Sequence, residues 1–255
     1  MYQILQYLKF LWKSKNQHDV HSPFVFDFVT KCLYDKKTYP EYRQIENFRK
    51  KLKSDQTKLQ IDDLGAGSRI LNSHERKISE LAKTSGSSQK QSRLLVRLAK
   101  YFQPNKILEL GTSLGISTYA FALGSEEAKI ITVEGAKQLF DFTSNQAEFE
   151  GRNIHFFNNN FENQLEQFSE EKWDMVFLDG DHTKDGTLNY FESLLKNLHN
   201  NSVLIIDDIY WSNGMTEAWE LIKTHPKVKV TVDLFFKGLV FFREEQAKEN
   251  FKIRL

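Results

Sequence analysis

Hydrophobic residues fall into two rhythms along this chain, and the change between them comes near residue 90. Before it the spacing is helical. Tyr2 to Trp12 carries apolar residues at helical intervals, and Ser22-Pro23 opens a second helix through Phe24, Phe28 and Leu33, with Ser22 as N-cap and Pro23 at the first helical position. A further helix begins near Glu41. After residue 90, helix Ser92 to Phe102 leads through Pro104 into an apolar strand, Lys106 to Leu110. Strands follow at Lys129 to Val133, Asn153 to Phe157, Trp173 to Leu178 and Ser202 to Ile206, with a helix predicted from Lys184 to Leu198. Val228 to Phe236 and Leu239 to Phe242 meet at Lys237-Gly238 and read as a terminal hairpin. Alternating strands and helices predict an α/β fold, a mostly parallel sheet covered on both faces and finished by that antiparallel hairpin. Residues 1–90 are expected as an N-terminal helical cap and residues 91–255 as the α/β domain, with no internal repeat and no low-complexity linker.

The run Lys106-Ile107-Leu108-Glu109-Leu110-Gly111-Thr112-Ser113-Leu114-Gly115 is a strand turning tightly into a helix beside a ligand. Gly111 reaches backbone angles closed to residues with a Cβ, and the helix starting near Gly115 offers free N–H groups. One strand–helix–strand unit later, Lys129-Ile130-Ile131-Thr132-Val133 closes with Glu134. An acid at that strand tip is placed to accept hydrogen bonds from both hydroxyls of a ribose, which implies a nucleoside-bearing cofactor. A dinucleotide would call for G-x-G-x-x-G, whereas this loop keeps two glycines and begins Glu-x-Gly, so the cofactor lacks a pyrophosphate.

These motifs resemble the first two of the class I S-adenosylmethionine-dependent methyltransferases. The resemblance continues through Asn158-Asn159-Asn160-Phe161, Trp173 to Asp179 and Ser202 to Asp208, covering roughly residues 90 to 243. It implies a Rossmann-like fold with a seven-stranded sheet and S-adenosyl-L-methionine as cofactor. Glu109, Gly111, Thr112, Ser113 and Gly115 would wrap its amino-acid part, Glu134 would hold the ribose, Asn160 would lie at the adenine, and Asp179 would support the cofactor loop.

A second stretch, Leu59-Gln60-Ile61-Asp62-Asp63-Leu64-Gly65-Ala66-Gly67-Ser68, has the same local look. It lacks the context, because no strand ending in an acid follows; Asn72 to Lys83 reads as a helix with an Asn72/Glu75 capping box. A structural turn is favoured over a loop covering the active site, in which Asp63 and Arg69 would touch substrate.

Three carboxylates converge where open α/β sheets place their ligands: Asp179 after the fourth strand, Asp207 and Asp208 after the fifth. Oxygen ligands from neighbouring strand ends suit Mg²⁺ or Ca²⁺, and such a metal would hold two adjacent substrate oxygens and activate a hydroxyl. The other reading has Asp207 or Asp208 capping the next segment. Without a cation, at least one of the three must take up a proton or pair with a basic side chain. The pattern resembles the metal-dependent O-methyltransferases of catechols and caffeoyl esters, whose fifth strand ends Asp-Asn with Trp three positions on; here Asp208 replaces the Asn and Trp211 keeps the Trp. Those relatives place a lysine base where His182 stands, three residues after Asp179. A histidine titrates near neutrality and suits proton abstraction, with Lys184 as the second candidate and Asp181 as an orienting group or a ligand. Tyr210, Trp211, Phe235 and Phe236 read either as an aromatic acceptor pocket or as core.

Composition narrows the reading. With 255 residues, 40% hydrophobic and 27% charged, the chain fits a globular enzyme, and a net charge of +1 argues against a nucleic-acid surface. Arg49-Lys50-Lys51-Leu52-Lys53 reads as a solvated helix face. The single Cys32 fits a reducing compartment and a core position, and no signal peptide or membrane span is legible, so cytoplasm is expected. The first helix is read as a packing or homodimer element rather than a membrane anchor. The expected activity is O-methylation of a small-molecule acceptor with or without a metal; N-methylation and a cofactor-binding interaction module without catalysis are the alternatives.

Overall fold

The computed structural model describes residues 1–61, 75–84 and 87–255. Two compact units form: residues 36–164, and residues 1–35 with 165–255. The chain opens with α1 (Tyr2–Lys13) and α2 (Pro23–Phe28), the latter capped by Ser22 as its sequence predicts and run on as one turn of π-helix to Leu33. Cys32 is buried.

The 36–164 unit begins with α3 (Pro40–Ser54), where Tyr42, Ile45, Phe48, Arg49 and Leu52 share one buried face at helical spacing. The basic run is therefore only partly solvated. Arg49 turns inward with that face, while Lys51 reaches Glu148 at 2.8 Å. Next comes a short antiparallel pair, β1 (Lys58–Gln60) with β2 (Glu75–Lys77), which the helical expectation for this region missed. Glu75 is not a capping residue here; it is a strand residue opposite Gln60, ion-paired to Lys58, and the helix expected from Asn72 starts only at Ile78, as α4 (Ile78–Thr84). Asp63, Gly65, Ala66, Gly67, Arg69 and Asn72 lie outside the described residues. Helix α5 (Gln89–Phe102) starts at a capping box of Ser88 and Gln91, earlier than Ser92. Strands β3 (Lys106–Leu110), β4 (Lys129–Glu134) and β5 (Ile154–Asn158) then pair in parallel in the order β3-β4-β5, with α6 (Ile116–Gly124) and α7 (Lys137–Ser144) as crossovers. Their inner positions, among them Ile107, Leu108, Leu110, Ile130 and Val133, are fully or nearly buried, as expected for parallel strands covered on both faces.

After α8 (Phe161–Gln167) the second unit takes up β6 (Trp173–Leu178), α9 (Lys184–Leu194) and β7 (Leu198–Asp207). Helix α9 ends four positions short of the predicted Leu198, which already belongs to β7; Asn197, buried, takes up three loop carbonyls there and stops the helix. Beyond α10 (Asn213–Thr224) come β8 (Val230–Asp233), β9 (Lys237–Phe241) and β10 (Glu249–Lys252). The order within this unit is β10-β8-β9-β7-β6, antiparallel on both sides of β9 and parallel elsewhere. The predicted hairpin is present, but its turn lies at Leu234 to Phe236, where the Asp233 carboxylate accepts from Phe235 N at 2.9 Å and Phe235 takes a φ of +73°. Lys237 and Gly238 are strand residues, and a Cβ on Gly238 would stand 2.7 Å from the Trp219 ring. With β10 added, the two units hold three and five such strands against the seven expected.

Helix α1 docks on this unit by its inner face. Tyr7 and Phe10 lie against Phe235 with centroids 4.8 and 5.6 Å away, and Tyr2 Oη donates to Thr216 Oγ1 at 2.7 Å. Its outer face leaves Ile4, Leu5, Leu8 and Trp12 exposed.

Candidate active site

In the 36–164 unit the glycine loop leaves β3 with Gly111 at φ +107° and enters α6 with Gly115 at φ +72°. At Gly115 the requirement is doubled, since a Cβ would stand 2.6 Å from the Phe149 ring and 2.8 Å from Thr143. Glu109, the last but one residue of β3, is fully buried. Its Oε2 accepts from the hydroxyls of Thr118 and Thr132. A hydroxyl has one proton, so Thr132, having given its own to Glu109, must accept from Thr112 at 2.6 Å. Burial pushes the Glu109 carboxyl up to about 7, against the easing effect of these hydroxyls and of nearby Ser117. No donor among the described residues meets Oε1 in hydrogen-bond geometry, so a buried acceptor is left over beside the glycine turn.

Glu134 ends β4 and ties two loops together: Oε2 accepts from Ser113 N at 2.8 Å and Oε1 from Ala136 N at 2.9 Å. Thr143 in α7 donates to the Ser113 carbonyl at 2.7 Å. The loop residues Thr112, Ser113 and Gly115 are thus held by Glu134, Thr132 and Thr143. Asn160 has a different task, because its Oδ1 accepts from Asn163 N at 2.8 Å at the head of α8.

In the other unit, Asp179 follows β6 and lies 3.7 Å from His182 Nε2. His182 has a quarter of its side chain exposed (25%), and its ring is 6.0 Å from that of Trp211. Burial lowers the His182 pKa first; Asp207 and Asp181 pull it up and Lys237 pushes it down. The imidazole is neutral at pH 7 and able to take a proton. Asp181, at φ +46°, turns away toward Tyr190 Oη. Lys184 opens α9 and pairs with Glu217 at 2.8 Å, and this hydrogen-bonded partner raises its pKa. It is therefore a poor base. Tyr210 and Phe235 are buried and stacked at 5.0 Å, with the Tyr210 hydroxyl donated to Asp233, while Phe236 is half-exposed.

Asp207 and Asp208 end β7, and here the sequence reading missed a residue. Lys237, 1% exposed, is the cross-strand partner of Asp207, and its Nζ stands 2.5 Å from Asp207 Oδ1 and 4.9 Å above the Phe177 ring. Asp208 has φ +51°, its N–H donates to the Phe236 carbonyl at 2.7 Å, and burial with the Asp207 charge beside it pushes its carboxyl up to about 7. Among the described residues no three His, Cys, Asp or Glu side chains are disposed to hold a metal ion. The expected Mg²⁺ or Ca²⁺ set of Asp179, Asp207 and Asp208 does not fit, because an ammonium already answers the Asp207 carboxylate.

With the geometry fixed, comparison with known proteins is direct. Residues 108–209 match the family model described as a methyltransferase domain. No curated protein matches the chain significantly. Among solved structures, the SAH-bound methyltransferase PaMTH1 of Podospora anserina superposes with TM-score 0.60 at 16% identity, covering 88% of this chain and 97% of that one. The Bacillus cereus O-methyltransferase in complex with SAH gives 0.53 at 21%, covering 86% and 97%. TomG of Streptomyces achromogenes, an O-methyltransferase of tomaymycin synthesis solved with SAM, gives 0.56 at 16%, covering 89% and 96%.

The fold is that of a class I methyltransferase.

The glycine loop, Glu109 and Glu134 fall inside the matched segment, as do Asp179, His182, Asp207 and Asp208. Lys237 falls outside it, on the closing hairpin. No helix among the described residues is long and apolar enough to cross a membrane.

Proposed function

We propose that this methyltransferase moves the methyl group of S-adenosylmethionine onto a hydroxyl of a small molecule, with His182 as the base. The observation that carries the cofactor reading is the leftover acceptor of Glu109 beside a glycine turn whose Ser113 amide is held by Glu134. A buried carboxylate oxygen without a donor suits a ligand that brings one, as the amino group of S-adenosylmethionine does. Glu134 stands as a carboxylate at the tip of β4, the residue type and place that suit hydrogen bonds from ribose hydroxyls. Bound there, S-adenosylmethionine supplies a methyl group on a cationic sulfur, which leaves with the bonding electron pair as the acceptor oxygen attacks. His182 takes the proton that oxygen gives up, and Asp179 at 3.7 Å favours the imidazolium so formed. The solved O-methyltransferases of like fold, bound to SAH or SAM, support this reading.

Calorimetry with S-adenosylhomocysteine tests it. The protein should bind, and Glu134→Ala should weaken binding by about 1.5–3 kcal/mol, as for loss of a charge-assisted hydrogen bond. Circular dichroism checks that the loop anchors lost with Glu134 leave the fold intact. Binding of NAD with no response to S-adenosylhomocysteine would overturn the proposal.

A further inference from the structure

A lysine inside an otherwise apolar strand needs a reason. Residues 239–241 of β9 are Leu239, Val240 and Phe241, all buried, and Lys237 is buried as deeply as they are. An ammonium removed from water is stable only beside an opposite charge. The antiparallel register supplies one, setting Lys237 across from Asp207, and the face of the Phe177 ring supports the cation from below. Two adjacent carboxylates would otherwise stand at the end of β7 with no counter-charge, an arrangement of hard oxygen atoms that suits a divalent ion. Here Asp207 is paired to Lys237. A metal entering this cluster would have to displace a buried ammonium or sit against it at close range, and like charges there repel strongly.

We propose that Lys237 is a built-in cation which takes over the charge role of a divalent ion at Asp207 and Asp208, so that the enzyme needs no metal there and excludes one. Lys237 is then a positioning residue: it fixes Asp207 and acts on His182 through the field at the strand ends. The inference rests on the methyltransferase reading for its meaning, but its test does not depend on methyl transfer.

Electron paramagnetic resonance of Mn²⁺ titrated into the full, chelator-treated chain reads the site directly. Wild type should leave the free-ion spectrum unchanged, whereas Lys237→Gln should bind Mn²⁺ at least about tenfold more tightly, because the carboxylates are freed as hard oxygen ligands. Lys237→Arg keeps the charge and should exclude Mn²⁺ as wild type does. Tight uptake by wild type overturns the proposal, and so does a folded Lys237→Gln that binds no better than wild type. If Lys237→Gln fails to fold, wild type and Lys237→Arg decide by the same criterion: uptake by either refutes, exclusion by both supports. Calorimetry with S-adenosylhomocysteine on the same wild-type sample reports the cofactor reading separately, so either result can fail alone.

Discussion

The two acidic clusters of this protein sit at strand ends and solve one electrostatic problem in opposite ways. Around the glycine loop, Glu109 and Glu134 are answered by hydroxyls and backbone amides, with one oxygen of Glu109 left over. At the end of β7, Asp207 is answered by a full positive charge. Hydrogen bonds leave room for an incoming cationic ligand; an ion pair closes the position to one. In the function proposed above, the first cluster receives the cofactor, while at the second Lys237 already answers Asp207.

The largest effect that can test this contrast is expected at His182, the proposed base beside the second cluster. With an acceptor in hand, His182→Ala should cut turnover by about 10²–10⁴-fold while S-adenosylhomocysteine affinity stays nearly unchanged. An unaltered rate would remove the base from the mechanism.

Glu109 gives a smaller signal with a definite sign. Burial raises its pKa from the ordinary 4.5 to about 7, so in that window the folded state holds a proton that the unfolded state has released. The stabilising contribution is whole below pH 4.5 and is lost as pH rises through about 7. Glu109→Gln carries no titrating proton and should flatten this fall, which for wild type is on the order of 3 kcal/mol across the window. Denaturant unfolding at a series of pH values measures it; parallel curves for the two proteins would show that Glu109 is ionised throughout.

Lys184 lies at the bottom of the scale. Paired to Glu217 at the solvent-facing head of α9, it should be replaceable by Ala with little loss of stability and no change in rate or in the pH profile. A large rate loss would return the base to Lys184 and leave His182 as a spectator.

The glycine loop, Glu134 and the succession of strands were legible because each depends on neighbours in sequence: continuous apolar runs, a turn needing positive φ, an acid at a strand tip. Lys237 was not, because its meaning comes from a partner 30 residues away, across an antiparallel register that composition does not reveal. A signal was present nonetheless, a lysine placed between Phe235-Phe236 and Leu239-Val240, where a buried strand has no use for an unpaired charge. Reading Lys237-Gly238 as a turn hid it. The turn was instead set by Asp233, whose side chain caps Phe235 N and moves the bend three residues upstream. Asn160, placed at the adenine by the resemblance, and Lys184, the second candidate base, make local bonds to Asn163 and Glu217 that the sequence did not announce. The short β1–β2 pair escaped notice because three-residue strands carry too little periodicity to register.

Helix α1 also gives the protein an optical handle. Of its four tryptophans, Trp173 and Trp219 are sealed at 0% and 1% exposure, whereas Trp12 on the outer face of α1 stands at 84%. A water-borne collisional quencher such as iodide meets Trp12 long before it meets either buried indole. Trp211 is half-buried, so the most red-shifted and most readily quenched emission comes from Trp12, and anything that comes to cover that helix should announce itself as a blue shift and a loss of quenching, with no label attached.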